Sequence, residues 1–199
     1  MHEAELIQRA KQPEFPLLYS LQGFKYCDLL LHLGQYRAVQ TRASQILEWS
    51  KKYSIGLLSI ALDHLSFGRA SLCQAQSEAT GNYTQATNHL NHAVEGLRQT
   101  GVLEFLSLGL LARAELHRVK GEFHRTRDDL DEAMSIATRG GMLLYKADCY
   151  LEYARLYLAQ SEKEKAREHW EMAKGMIGQM RYHLRDRDVE EIGREFESA

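Results

Sequence analysis

A turn of one kind recurs along the chain: a glycine, any residue, then an aromatic, at Gly34-Gln35-Tyr36, Gly81-Asn82-Tyr83 and Gly121-Glu122-Phe123, each time between two apolar segments of helical length. Past each aromatic, small or apolar residues follow at spacings of three and four. They are Val39-Ala43-Ile46, Ala86-Leu90-Ala93, Thr126-Leu130-Ala133 and, toward the C-terminus, Ala166-Trp170-Ala173. Successive sets lie 47, 40 and 40 residues apart. A fixed period of about twenty to fifty residues marks a solenoid, in which each unit leaves an apolar face for the next to cover and none folds alone.

The chain breaks between repeats at Lys51–Gly56, Gln99–Gly101, Arg139–Gly141 and Arg181–His183. A glycine just past a helix end supplies the left-handed conformation that closes the last carbonyls. Each repeat therefore reads as a helix hairpin, with boundaries at 15–52, 57–99, 104–139 and 143–179. The first helices are Phe15–Leu33, Leu57–Ala79, Glu104–Val119 and Leu143–Gln160; the second are Tyr36–Lys52, Tyr83–Gln99, Phe123–Arg139 and Lys163–Gln179. In the third second helix the apolar stripe is Phe123, Thr126, Leu130, Ala133, Met134 and Ala137, with Arg125, Asp128, Asp129 and Glu132 facing away. Trp170 is expected to fill the gaps that small neighbours leave. The 47-residue step points to an extension near Gln74–Thr80, either a first helix about two turns longer or a bulge. At the ends, 3–11 reads as half a repeat, so the chain is expected to be a fragment or an array without its natural neighbour. Residues 187–197 read as a polar capping helix, with Asp188 and Glu191 at capping-box spacing. The whole, 1–199, reads as a single array.

Composition narrows the function classes. Twenty-five basic and 27 acidic side chains leave a net charge of −2, so no whole-protein field draws nucleic acid or an anionic membrane. The only prolines, Pro13 and Pro16, leave everything from Leu17 onward free of helix breakers. Cys27, Cys73 and Cys149 are odd in number and lack a CxxC pair, which argues against a disulfide framework or zinc site. No run of eighteen apolar residues occurs, and the N-terminus lacks the basic-then-apolar order of a signal peptide. A reducing cytoplasm is the expected compartment.

There is no phosphate-binding glycine loop, since Arg139-Gly140-Gly141-Met142 lacks the Lys-Ser/Thr that would follow. His89 and His92 have a spacing that can hold a metal, but no carboxylate or cysteine accompanies them on their face of the helix, and no metal site is assigned. Asp63 and His64 are adjacent in a helix and diverge by about 100°, too far apart to act as a base and its orienter. The cysteines lie in apolar helix segments without an activating base. No catalytic residue, metal or cofactor is expected.

These residues resemble the tetratricopeptide-repeat family, whose unit is a helix-turn-helix with a Gly-x-aromatic turn followed by Ala, a large apolar residue and Ala. Gly81, Tyr83, Ala86, Leu90 and Ala93 match in full and the other repeats in part. The fourth departs at Ser161-Glu162-Lys163, and the period of 40 exceeds the family's usual 34 or so. The elongated units are similar to arrays in bacterial regulators and at the C-terminal end of multidomain signalling ATPases. The resemblance implies an all-α fold, a right-handed superhelical array of antiparallel helix hairpins, whose first helices line a concave groove. Off-stripe residues of those helices are the candidate groove contacts: Asp28, His32, His64, Arg69, Arg113, Glu115, Arg118, Asp148, Glu152 and Arg155. Their mixed signs suit a polar peptide; for any one of them, an ordinary solvated position with an intrahelical pair is the competing reading. The expected function is a protein-interaction scaffold or sensor domain that binds a peptide or protein partner, as part of a larger signalling protein. A small-ligand or peptide-pheromone receptor is the alternative, and an enzyme ranks third. The partner is expected to be a protein or peptide, with neither nucleic acid nor membrane. The exposed N-terminal flank, Leu6, Ile7, Leu17, Leu18 and Leu21, raises the expectation of a homodimer through that end.

Overall fold

The computed structural model describes residues 2–197, and among these the chain is all-α, with ten α-helices, one 3-10 turn and no strand. The helices are α1 (His2–Lys11), α2 (Ser20–His32), α3 (Tyr36–Lys52), α4 (Leu57–Ser77), α5 (Thr84–Thr100), α6 (Leu103–Val119), α7 (Phe123–Arg139), α8 (Leu143–Ala159), α9 (Lys163–Met180) and α10 (Asp186–Glu197), the last preceded by the 3-10 turn at His183–Arg185. They pack on their chain neighbours, as the helices of an α-solenoid do. The chain divides into two compact units, residues 1–105 and 106–199. Hairpins α2–α3 and α4–α5 belong to the first; α6–α7 and α8–α9 build the second, although α6 begins three residues before the division.

One hydrogen-bond pattern closes three of the first helices. The amide of the left-handed residue donates to the carbonyl three back, and the next amide donates to the carbonyl five back. This happens at Gly34 and Gln35 (3.0 and 2.9 Å), at Gly121 and Glu122 (3.0 and 2.8 Å) and at Ser161 and Glu162 (2.9 and 2.8 Å). Gly121 has φ +74° and Ser161 +61°. The fourth turn thus keeps the geometry without the glycine, accepting a left-handed conformation that costs a non-glycine residue about 1 kcal/mol.

The second turn departs from its expected place. The same pair of hydrogen bonds centres on Ala79 and Thr80 (3.2 and 3.1 Å), with Ala79 at φ +49°, and Gly81 at +64° is a second left-handed residue further along the connection. Helix α4 has 21 residues against 17 in α6 and α8, one turn more rather than two. A longer connection to α5 supplies much of the remaining extra length.

The repeating stripe is the core. Val39, Ala43, Ile46, Ala86, Leu90, Ala93, Thr126, Leu130, Ala133, Ala166 and Ala173 are all buried. Trp170 is only half-buried and covers the cluster of Ala147, Leu151, Ala154, Ala173, Ile177 and Ile192 from its edge. Asp129 corrects the stripe: it lies three residues past Thr126, on the same face, and is buried rather than facing away.

The ends also differ from expectation. Helix α2 begins at Ser20, not Phe15, because Pro16 interrupts the run and the Leu18 amide donates instead to Glu5 Oε1 at 3.1 Å. Phe15 enters an aromatic cluster, 5.6, 5.4 and 4.9 Å from the rings of Tyr19, Trp49 and Tyr53. Helix α10 starts at Asp186, two residues before the proposed cap Asp188, which makes ion pairs from within its first turn. Residues 1, 198 and 199 of the expected array lie outside the described residues.

Gly121→Val should therefore destabilise by about 1–2 kcal/mol, because it forces a β-branched residue to positive φ. Gly175→Ala, inside α9 with open space around its Cα, should stabilise by about 0.5–1 kcal/mol. Urea denaturation of both variants measures the difference, and equal effects would contradict the turn geometry.

Candidate functional site

The candidate groove residues do not form one site but fall into separate groups. In the first unit, Asp28 of α2 accepts a hydrogen bond from Arg69 Nη1 of α4 at 2.8 Å, and His32 Nδ1 bonds the Asp28 carbonyl at 2.8 Å. His64, farther toward the start of α4, does not join them. It meets α5: His64 Nδ1 and His89 Nδ1 are 3.0 Å apart, His64 stacks on His92 at 5.1 Å between centroids, and Phe67 stacks on His89 at 3.9 Å. The sequence paired His89 with His92 alone; only the packing of α4 on α5 adds His64. Among the described residues, no group of three or more His, Cys, Asp or Glu is arranged to hold a metal ion.

In the second unit the candidates converge. Arg118 of α6 donates to Glu152 of α8 at 3.3 Å, and Arg155 donates to the other Glu152 oxygen at 2.5 Å and to Asp188 of α10. Arg185, in the 3-10 turn, donates to both oxygens of Asp148 at 2.7 and 3.2 Å and to Asp188 at 3.4 Å. Four of these six partners are first-helix residues of α6 and α8, and the capping segment supplies the other two. Arg113 lies apart, forked onto Asp129 of α7 at 2.9 and 2.6 Å, with His117 beside it on Glu122 at 2.7 Å. Glu115, between Arg113 and Arg118 in the chain, is half-buried on α6.

Electrostatics explains why the network holds together. Burial alone would raise the Glu152 carboxyl, but Arg155 and Arg118 outweigh it and hold it below the ordinary range. For Asp148 burial wins, and the carboxyl is raised despite Arg185. Both acids are at least nine-tenths buried, so each depends on its guanidinium to be charged at all. Arg185 had no sequence signal, and Asp188 and Asp129 read only as a helix cap and a solvated position, because long-range pairing leaves no local spacing signal.

A second polar site, in the first unit, had no sequence signal. Arg42 of α3 reaches Glu5 of α1 at 2.6 Å and lies over the Tyr26 ring at 4.4 Å. Its Nε and the Asp63 Oδ2 of α4 are both buried without a hydrogen-bond partner. Burial raises Asp63 to about 8, against the opposing pull of Arg42. Burial also raises the Cys27 thiol beside them. Cys149, pushed up to about 12 chiefly by burial, stays a thiol at neutral pH and is a poor nucleophile.

No helix among the described residues is long and apolar enough to cross a membrane. No protein-family model, curated protein or solved structure matches the chain.

Two titrations should mark stability against pH. Burial, with His89 and His92 nearby, lowers His64 to about 4. Its neutral form therefore supports the fold fully above about pH 6.5, and that support is lost as pH falls toward about 4. Allowing for its partial exposure, His64→Gln should recover about 1–2 kcal/mol at pH 4.5 relative to pH 7.5. Asp63 runs the other way: its contribution is complete below about pH 4 and is lost as pH rises through about 8. Asp63→Asn should thus gain about 2 kcal/mol or more between pH 4 and pH 8. Urea melts across pH test both signs.

Proposed function

We propose that the chain is a protein-interaction scaffold of the tetratricopeptide type, the docking or sensor portion of a larger bacterial cytoplasmic signalling protein. The observation that carries this reading is the ion-pair ladder Arg118–Glu152–Arg155–Asp188–Arg185–Asp148. It fixes alternating charges on consecutive first helices, whose axes lie about 8–10 Å apart when packed. A peptide laid across helices at that pitch meets a new polar pair every three residues or so. Its carboxylates and main-chain carbonyls can share guanidinium donors, because each Arg carries five N–H groups and the ladder uses only some of them. Asp28 and Arg69, more exposed at 39% and 28%, offer a similar pair in the first unit.

Native mass spectrometry of the protein purified from its own cell tests this reading. A bound polypeptide is expected, weakened by Arg118→Gln, which leaves Glu152 paired with Arg155. A bound small molecule with no polypeptide, or a complex indifferent to that substitution, would favour a small-ligand receptor.

The partner set also includes a second copy of the chain. Leu6, Ile7 and Leu21 are 51%, 50% and 40% exposed on α1 and α2, and an isologous contact through such a face closes into a dimer. Sedimentation equilibrium at micromolar concentration should report a dimer that Leu6→Glu with Ile7→Glu dissociates. A strict monomer would remove this part of the proposal.

A further inference from the structure

In the second unit, α10 packs on α9 over a half-buried aromatic pair. Trp170 Nε1 donates to the Val189 carbonyl at 2.9 Å, and the Trp170 and Phe196 rings lie 5.6 Å apart at 60°. Gly193 permits this approach, since a Cβ there would stand 3.2 Å from Trp170 Cζ2. Around the rings opens a trough of about 500 Å³ whose lining includes Arg167, Trp170, Lys174, Glu190, Arg194 and Phe196.

The rim is cationic in a chain of net charge −2, with Arg167, Lys174 and Arg194 against Glu190 alone. Arg167 rests 4.9 Å over Phe196 and Lys174 rests 4.6 Å over Trp170. Cations on rings hold their stems against the apolar floor and leave N–H donors turned outward. Their positions fix a spacing: seven residues of helix carry Arg167 and Lys174 about 10 Å apart along α9. A peptide extended as polyproline II rises about 3.1 Å per residue and returns its side chains to one face every third residue, so carboxylates three residues apart span about the same distance.

We propose that the α9–α10 trough binds an extended acidic peptide, two of whose carboxylates, three residues apart, meet Arg167 and Lys174 while an apolar side chain between them sits on Trp170 and Phe196. This site goes beyond the ladder reading and stands on different residues. A nucleic acid strand fits less well, because the rings meet at 60° and each carries its own cation, an arrangement that receives a compact aliphatic side chain better than the flat stacking of successive bases. Glu190 sets the polarity of the site by repelling carboxylates on the α10 side.

The test uses the full chain with Trp49→Phe, so that Trp170 is the only tryptophan. Its fluorescence is titrated with a blocked decapeptide carrying glutamates three apart and a leucine between them. A saturable change is expected, weakened by salt and about tenfold or more by Arg167→Gln with Lys174→Gln. Both residues are exposed, so circular dichroism of that variant should be unchanged. Arg118→Gln should leave this binding intact, which separates failure of the trough from failure of the ladder. No response into the low millimolar range, an equal response to the same peptide with lysines in place of glutamates, binding that survives the double substitution, or tighter binding of oligothymidylate would each overturn the proposal.

Discussion

Reversal of the chain at the end of each first helix depends on one residue that accepts positive φ. That residue lets two successive amides close the helix's last carbonyls, so the polar end of the helix is satisfied without solvent and the second helix can return antiparallel. Only then do the small residues of the second helices face the first helices closely enough to bury Ala43, Ala86, Ala93, Ala133, Ala166 and Ala173. The turn carries out this task whether glycine occupies it, as at Gly121, or serine, as at Ser161. The backbone geometry, more than the residue type, is the repeating element.

A fold made of such hairpins leaves polar positions of the first helices on a shared surface, and here they are largely paired with one another. In the second unit the pairing is deep enough that Glu152 and Asp148 depend on neighbouring guanidiniums. In the first unit the comparable interior site is unbalanced, with Asp63 lacking a hydrogen-bond partner for Oδ2 and Arg42 bound instead to Glu5. Removing one partner of a buried pair is more damaging than never having built it. The ladder is therefore a rigid feature, suited to presenting fixed donors, whereas Asp28 and Arg69 can adjust.

Much of the fold was legible in the sequence because repetition amplifies weak local signals. The stripe Ala86-Leu90-Ala93 and the turn at Gly121 could be read from spacing alone, and most helix ends fall within a few residues of their expected positions. The failures have physical causes. Phe15 looked helical by apolarity, but Pro16 and the hydrogen bond from Leu18 to Glu5 hold that stretch in another conformation. Gly81 looked like the helix-closing residue, but Ala79 takes that place two residues earlier. Asp129 looked solvated by charge, yet Arg113 reaches it across the hairpin and makes its burial tolerable.

By itself the sequence determined what depends on near neighbours in the chain: helical periodicity, the hairpin unit, its period and the identity of the packing stripe. These follow from 3.6-residue geometry and turn stereochemistry, which act over a few residues. Tertiary structure alone decided which charges meet. His64 joined His89 and His92 across α4 and α5, Arg185 and Asp188 joined Asp148 and Arg155 from the capping segment, and Gly193 brought α10 onto Trp170. Such meetings depend on packing angles summed over whole helices, and no spacing along a single helix encodes them.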